Sequence, residues 1–317
     1  MSDAPAHASG AQKAKVVVTP QTAGTRLDQA LAALVPGMSR RLARKVIAMG
    51  AVHVNKKPVR IASWLVRKGD LIAATWHPDV LEPERYPLDV VHEDADVIVC
   101  VKPAGQLSQG SELGDTGSLV RDLQKRFGME LRLMHRLDKG ASGLLVAGRN
   151  PGATEALTPQ FRDHTIGRKY LAVTAGVPAE GTCEIPIFQH GRFVRAARPG
   201  EDGVPARSDV MVKRIDEVAA PVERRALVEV ELHTGRTHQI RIHLAEAGTP
   251  ILGEEVYIRD LRGPKSERLS APRPMLHAWV LGFERPSAPG ETLRFEDPPP
   301  ADFMAVLAAL RAATPTP

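Results

Sequence analysis

The sequence predicts an α+β protein: a mixed, largely antiparallel sheet with flanking helices, plus a small N-terminal α/β module. Three observations predict it. Strand-like apolar runs recur through the C-terminal two thirds without a regular βαβ rhythm. The length of 317 residues allows about two domains. Charge is also unevenly placed: Arg26 to Asp70 holds ten basic residues against two acidic ones, a net +8 that exceeds the +5 of the whole chain. The boundaries follow as a flexible tail at 1–18, the basic module at 19–76, a Pro- and charge-rich linker at 77–89, a large domain at 90–312 and a tail at 313–317.

Within the module, Leu27, Ala30, Leu31 and Leu34 follow helical spacing, ended by Pro36-Gly37. Ser39 caps a second helix, Arg40 to Met49, which Gly50 stops. Arg40, Arg41, Arg44 and Lys45 fall on one face of it, with no acidic residue in the helix to pair with them, so this face is expected to meet RNA phosphates. Val52 and Val54 form a short strand, Asn55-Lys56-Lys57-Pro58 a turn, and Val66 to Ile72 a second strand around Gly69-Asp70.

In the large domain, Val90 to Asp94 and Val97 to Val101 read as strands, and Leu119 to Phe127 as an amphipathic helix. Leu144 to Ala147, Tyr170 to Val173, Ala226 to Leu232 and Trp279 to Phe283 read as further strands. Thr237 is expected to cap a helix running to Ala247, closed by Gly248 and Pro250.

Composition excludes several classes. A hydrophobic share of 43% with 25% charged residues is that of a globular protein rather than a disordered or fibrous chain. Cys100 and Cys183 cannot make a disulfide framework or a Cys-rich zinc site; both are expected to be buried, reduced thiols. No run approaches 18 apolar residues and the N-terminus lacks a signal h-region, so no membrane role and a cytoplasmic location are expected. The basic balance leans toward an anionic partner.

Three stretches carry chemistry. His135-Arg136-Leu137-Asp138-Lys139-Gly140-Ala141-Ser142-Gly143 sets one carboxylate between two cations. Arg136 and Lys139 are expected to keep Asp138 ionised, and the glycines to let a substrate approach the backbone. Read alone, the pattern fits either a nucleophilic Asp or a surface ion pair at a strand edge. Thr234-Gly235-Arg236-Thr237-His238-Gln239-Ile240-Arg241-Ile242-His243 gathers planar donors suited to a phosphate, a base edge or a carboxylate. His238 and His243 stand five apart and no Glu follows the first, so the spacing argues against a metal site. Tyr170, one of only three tyrosines, follows Arg168-Lys169 at a strand start. Its ring suits stacking on a flipped base, or packing in the core with a wet hydroxyl.

The stretches SRRLARKVIAMGAVHVN and KGD resemble the S4 RNA-binding domain. VVHEDADVIVCVKPAGQLSQ, HRLDKGASGLLV, RKYLAV, LHTGRTHQIRIHLAEAGTPILGEEVY and MLHAWVLGFERP resemble, in order, the RluA-type pseudouridine synthase family across about residues 88 to 285. The resemblance implies isomerisation of uridine in RNA to pseudouridine, without cofactor or metal. Asp138 would be the catalytic carboxylate, either attacking the ribose C1′ or promoting a glycal intermediate by removing a ribose proton. Arg241 would pair with it, Tyr170 would pack on the target base, and Arg136 would fill the stack left by the extruded nucleotide. Arg236 and His238 join Arg136, Arg40, Arg41, Arg44 and Lys45 as expected RNA contacts. Ala141 stands where the family commonly has Thr, Arg168 where it has Lys, and Glu254 where it often has Asp, the last expected to lie outside the chemistry. Ribosomal RNA is the favoured partner over transfer RNA, and a monomer is expected. The competing readings are a non-catalytic RNA-binding or ribosome-assembly factor and a metal-dependent hydrolase, the latter disfavoured by the lack of carboxylate clusters.

Overall fold

The computed structural model describes residues 11–76, 86–110, 114–129, 131–191, 193–218, 223–258 and 271–312. These divide into two compact units. One takes the described residues up to Tyr86 together with those of Gln109–Phe127; the other takes those of Pro87–Ser108 and from Gly128 onward.

The first unit contains strands β1 (Gln12–Val17), β2 (Val52–Val54), β3 (Lys57–Pro58) and β4 (Leu71–Trp76), with helices α1 (Leu27–Leu34), α2 (Arg40–Ala48) and α3 (Leu119–Phe127). The sheet order is β1-β4-β2-β3, antiparallel throughout. Leu27, Leu31, Val46, Ile47 and Ile72 are fully buried and make its core. As the sequence predicts, the Ser39 hydroxyl accepts from the Leu42 N–H at 3.1 Å and starts α2. Asn55 and Lys56 both take positive φ, 50° and 69°, the geometry of a two-residue hairpin between β2 and β3.

Three expectations need correction here. Gln12–Val17, inside the expected tail, pairs along its whole length with β4. Val66 to Ile72 is not one strand: the Asp70 carboxylate accepts the Arg67 N–H at 2.7 Å, closing a turn through Gly69, and β4 starts at Leu71. The basic face of α2 is also partly paired, through an acid on the preceding helix. Asp28, fully buried on α1, accepts from Arg26 Nε (3.0 Å), Arg40 Nη2 (3.4 Å) and Arg44 Nε (2.7 Å). Burial opposes its charge, but the three guanidinium groups hold its pKa far below the carboxylate range. Arg41 and Lys45 remain exposed and make no ion pair among the described residues. The linker residues 77–85 and the tail at 313–317 lie outside the described residues.

The second unit has one large sheet. Its strands are β5 (Asp89–Glu93), β6 (Val97–Lys102), β7 (Arg132–Leu133), β8 (Ser142–Gly148), β9 (Gly167–Ala175), β10 (Gly181–Cys183), β13 (Ser208–Val218), β14 (Glu223–Leu232), β15 (Leu276–Glu284) and β16 (Thr292–Glu296). A separate hairpin is formed by β11 (Ile187–His190) and β12 (Phe193–Ala196). The order is β10-β13-β14-β9-β15-β8-β6-β5, with β16 on β15 and β7 on β8. Among the described strands only β15 and β8 pair in parallel. Helices α4 (Pro151–Arg162), α5 (Gln239–Glu246) and α6 (Ala301–Ala312) complete the unit. Val97, Val99, Leu144, Val146, Leu157 and Phe283 form a core between sheet and α4.

β8 is buried at every position, so its apolar run does not alternate. Gly143 in it has φ +116°, and a Cβ there would lie 2.1 Å from the Ala278 carbonyl oxygen. A Cβ on Gly140 would meet Pro274 at 3.0 Å. These glycines admit neighbouring chain, not substrate, which corrects the expectation. Cys100 is buried, its thiol pushed up to about 12 by burial, whereas Cys183 at the end of β10 is only partly buried.

The Asp28 cluster carries a pH signature. Its folded pKa lies below the unfolded one, so the stability it contributes is complete above about pH 4 and is lost as the pH falls through the folded value. Urea unfolding of wild type and Asp28→Asn should therefore differ most above about pH 4, with the gap narrowing toward pH 2; a gap that widens in acid would contradict this account.

Candidate active site

Asp138 follows β7 in the loop that leads into β8, and its side chain is 24% exposed, so it is neither sealed nor lost in solvent. The loop is clamped from below. The Ser108 hydroxyl accepts the Leu137 N–H (3.0 Å) and donates to the Leu137 carbonyl (2.7 Å). The Gly105 N–H donates to the Lys139 carbonyl at 2.7 Å. Lys102 is fully buried, and its Nζ donates to the carbonyls of Pro103 (2.8 Å), Gln106 (2.8 Å) and Lys139 (3.3 Å). Burial pulls its pKa down to about 7, against the pull of the Asp138 charge. Both neighbours of Asp138 are thus held by backbone bonds to the segment after β6.

The partners of Asp138 are not its sequence neighbours. Arg241, on α5, donates from Nη1 to Oδ2 at 3.1 Å, as expected. Arg136 is exposed and reaches Thr237 Oγ1 at 3.4 Å instead, and Lys139 is exposed. Arg241 is itself 8% exposed and is held from behind by Glu254, which takes Nε at 2.6 Å and Nη2 at 2.8 Å. This overturns the expectation that Glu254 lies outside the chemistry. Its carboxylate, 1% exposed, also accepts the N–H groups of Val256 (2.8 Å) and Tyr257 (3.2 Å). Gly253 makes the turn possible: a Cβ there would sit 1.9 Å from the Arg273 carbonyl oxygen. Burial disfavours the Arg241 charge, but the bonds to Glu254 and the field of Asp138 raise its pKa, so the guanidinium stays charged.

The helix carrying Arg241 begins at Gln239, not Thr237. The Gln239 Oε1 accepts the Arg236 N–H (3.0 Å) and the Thr234 hydroxyl (2.7 Å), while its Nε2 donates to the Arg207 carbonyl and to Ser208 Oγ, each at 2.9 Å. This network holds the turn and leaves His238 in the left-handed region at φ +58°. His238 Nε2 lies 3.6 Å from Asp138 Oδ1, and Nδ1 lies 2.7 Å from the Tyr257 hydroxyl. Burial lowers its pKa, so the ring is neutral at pH 7. His243 is not part of the site: two residues past Arg241 on a 3.6-residue helix, it lies on the other side and bonds the Ile185 carbonyl at 3.0 Å. Arg236 donates from Nε to the Pro205 carbonyl at 3.0 Å, away from Asp138.

Tyr170, on β9, is 6% exposed, close to the core reading of its ring. Burial raises its pKa; the Arg168 charge opposes that rise and the Asp138 carboxylate adds to it. His135 stacks on Phe161 at 5.1 Å between centroids, and burial lowers its pKa to about 3, so it is a packed residue rather than an acid or base. No group of three or more His, Cys, Asp or Glu side chains able to hold a metal ion gathers among the described residues. Nor is any described helix long and apolar enough to cross a membrane.

A family profile described as RNA pseudouridylate synthase matches residues 96–246, spanning Asp138, Tyr170 and Arg241, and an S4 domain profile matches residues 25–72. Ribosomal large subunit pseudouridine synthase D of Neisseria meningitidis serogroup A is 36% identical, over 92% of this chain and 80% of its own. The chain belongs to the RluA-type RNA pseudouridine synthase family. The chloroplastic RNA pseudouridine synthase 2 of Arabidopsis thaliana is 34% identical over 90% of this synthase and 80% of its own length. Among solved structures, human RNA pseudouridylate synthase domain containing 4 superposes with a TM-score of 0.53 at 26% identity, covering 70% of this synthase and 93% of that chain. The synthase is therefore an isomerase that converts uridine in RNA to pseudouridine, with an N-terminal S4 RNA-binding domain.

Sequence reasoning missed Glu254, Lys102, Ser108 and Tyr257, although all lie in family-like stretches. Only the fold reveals that Glu254 meets Arg241. Removing one member of a buried ion pair costs about 3–5 kcal/mol, because the other charge is stranded. Arg241→Ala should therefore lower unfolding stability in urea by about that amount, and replacing both Arg241 and Glu254 with Met should recover most of it. Equal losses in the single and double variants would show that the pair is not what is being disrupted.

Proposed function

We propose that Asp138 is the carboxylate that acts on the target ribose and that the substrate is large-subunit ribosomal RNA. The observation that carries the first part is the one-sided pairing of Asp138. Oδ2 is taken by Arg241 at 3.1 Å, while Oδ1 has no protein donor within hydrogen-bonding reach among the described residues. Attack at C1′ and removal of a ribose proton make the same demand: an ionised, aimed carboxylate with one open edge. The N1–C1′ bond breaks, the uracil turns, and C5 bonds C1′; C5 then loses its proton and N1 gains one, so the isomerisation is balanced and redox-neutral. Tyr170 would pack on the base from its largely buried place on β9, and exposed Arg136 can fill the gap left by the flipped nucleotide.

The ribosomal substrate rests on the relatives whose names state it, in Neisseria meningitidis and Zymomonas mobilis. A ribosomal RNA substrate is consistent with the cytoplasmic location expected from the sequence. The S4 domain supplies affinity: Arg41 and Lys45, free of the Asp28 cluster, face phosphate, while Arg40 and Arg44 hold the helix pair together.

Two experiments test this reading. Pseudouridine mapping in ribosomal RNA from cells carrying only Asp138→Asn should show loss of a site present with wild type, with turnover down roughly 10³-fold or more. Retained modification would favour a non-catalytic role for Asp138. In RNA-binding titrations across salt, Arg41→Ala and Lys45→Ala should each weaken affinity and reduce the log–log salt slope by about 1, and an unchanged slope would remove these side chains from the interface.

A further inference from the structure

We infer that His238 is a specificity residue that accepts a hydrogen bond from the 2′-hydroxyl of the target ribose, an inference that rests on the reading of Asp138 as the group acting at that ribose. The hydrogen-bond chain that sets the ring begins at Val194. Its carbonyl oxygen can only accept, and it lies 3.1 Å from the Tyr257 hydroxyl, so the phenolic hydrogen points there. The Tyr257 oxygen is then the acceptor in its 2.7 Å contact with His238 Nδ1, and this network assigns the ring's proton to Nδ1. In the neutral imidazole this leaves a lone pair on Nε2.

That lone pair stands 3.6 Å from Asp138 Oδ1. Two acceptors cannot bond each other, and the separation is longer than a hydrogen bond. The edge of the site is therefore built of two adjacent acceptors, one of them the open oxygen of the carboxylate. The His238 side chain is 30% exposed, so a ligand can reach it. Whichever route Asp138 takes, its open oxygen works at C1′ or C2′, and the substituent carried by C2′ in RNA is a hydroxyl able to donate. A donor there satisfies Nε2 while the carboxylate keeps its oxygen for chemistry. A 2′-deoxyribose offers no donor and leaves Nε2 desolvated and unmatched, so the same contact separates RNA from DNA.

The ring is rigidly placed for this. His238 is edge-on to Tyr257, with centroids 5.6 Å apart. The Tyr257 backbone is anchored on Glu254, and its ring lies beneath the Arg241 guanidinium at 5.2 Å. One residue turn thus ties the tautomer of His238 to the same carboxylate that holds Arg241.

The test is a cycle between enzyme and substrate. Short RNAs carrying uridine or 2′-deoxyuridine at the target position are compared with wild type, His238→Leu and Tyr257→Phe. Binding is measured in an Asp138→Asn background so that it is read without turnover, and turnover is measured with Asp138 intact. Wild type should prefer the ribose by roughly 3- to 10-fold beyond any intrinsic effect, the worth of one hydrogen bond. His238→Leu should lose that preference, binding the two RNAs alike. Tyr257→Phe, which removes the acceptor for Nδ1–H, should lose part of it. An undiminished preference in His238→Leu, in binding and in turnover, overturns the inference. If Asp138→Asn proves fully active, the reading of Asp138 fails instead, while the binding cycle still decides on His238.

Discussion

The guanidinium of Arg241 divided between two carboxylates is the interaction on which the site depends. A cation this deeply buried needs compensation, and Glu254 supplies it in full with two parallel bonds to the Nε–Nη2 edge. Because that edge is occupied, Arg241 presents only Nη1 to Asp138. A bidentate pair would have closed both oxygens of Asp138, whereas the single bond holds the carboxylate and leaves one oxygen open. The same carboxylate of Glu254 takes the backbone of Val256 and Tyr257, and through Tyr257 it reaches His238.

Preorganisation on the other side of Asp138 comes from main-chain bonds. Ser108, Gly105 and Lys102 tie down the backbone of Leu137 and Lys139, on either side of Asp138. The sheet supplies the frame. The parallel β8–β15 pairing, allowed by the missing Cβ at Gly143, brings the strand entered from Asp138 next to β15, which also pairs with β9, the strand that carries Tyr170. The site is therefore held by backbone on one side and by a buried charge network on the other.

Much of the fold was readable from the chain because local rules dominate in those places. Helices at Leu27, Arg40 and Leu119 announced themselves by period and capping, and β8 by an unbroken apolar run. What escaped has a common cause. β1 lies in a polar stretch whose strand exists only through β4, and Gly69-Asp70 looks extended until the Asp70 carboxylate closes its turn. β13, eleven residues long with charges at Lys213, Arg214 and Asp216, hides its inward face among ion pairs with β14 and its own neighbours. The basic face of α2 has no acid within its own helix, and the acid that neutralises half of it sits on another.

The sequence alone determined which residues this protein has to work with: the carboxylate of Asp138, the guanidinium of Arg241, the ring of Tyr170 and a basic module for RNA. Motif order was enough for that, since each lies within a short, family-like stretch. Only tertiary structure decided who pairs with whom, because Asp138 and Arg241 are 103 positions apart and exchange a hydrogen bond only once α5 packs over the loop before β8. It likewise turned Glu254 into the support of the site and brought His238 beside Asp138. Such outcomes depend on burial and on which acceptor lies within reach in space, and neither can be read along a chain.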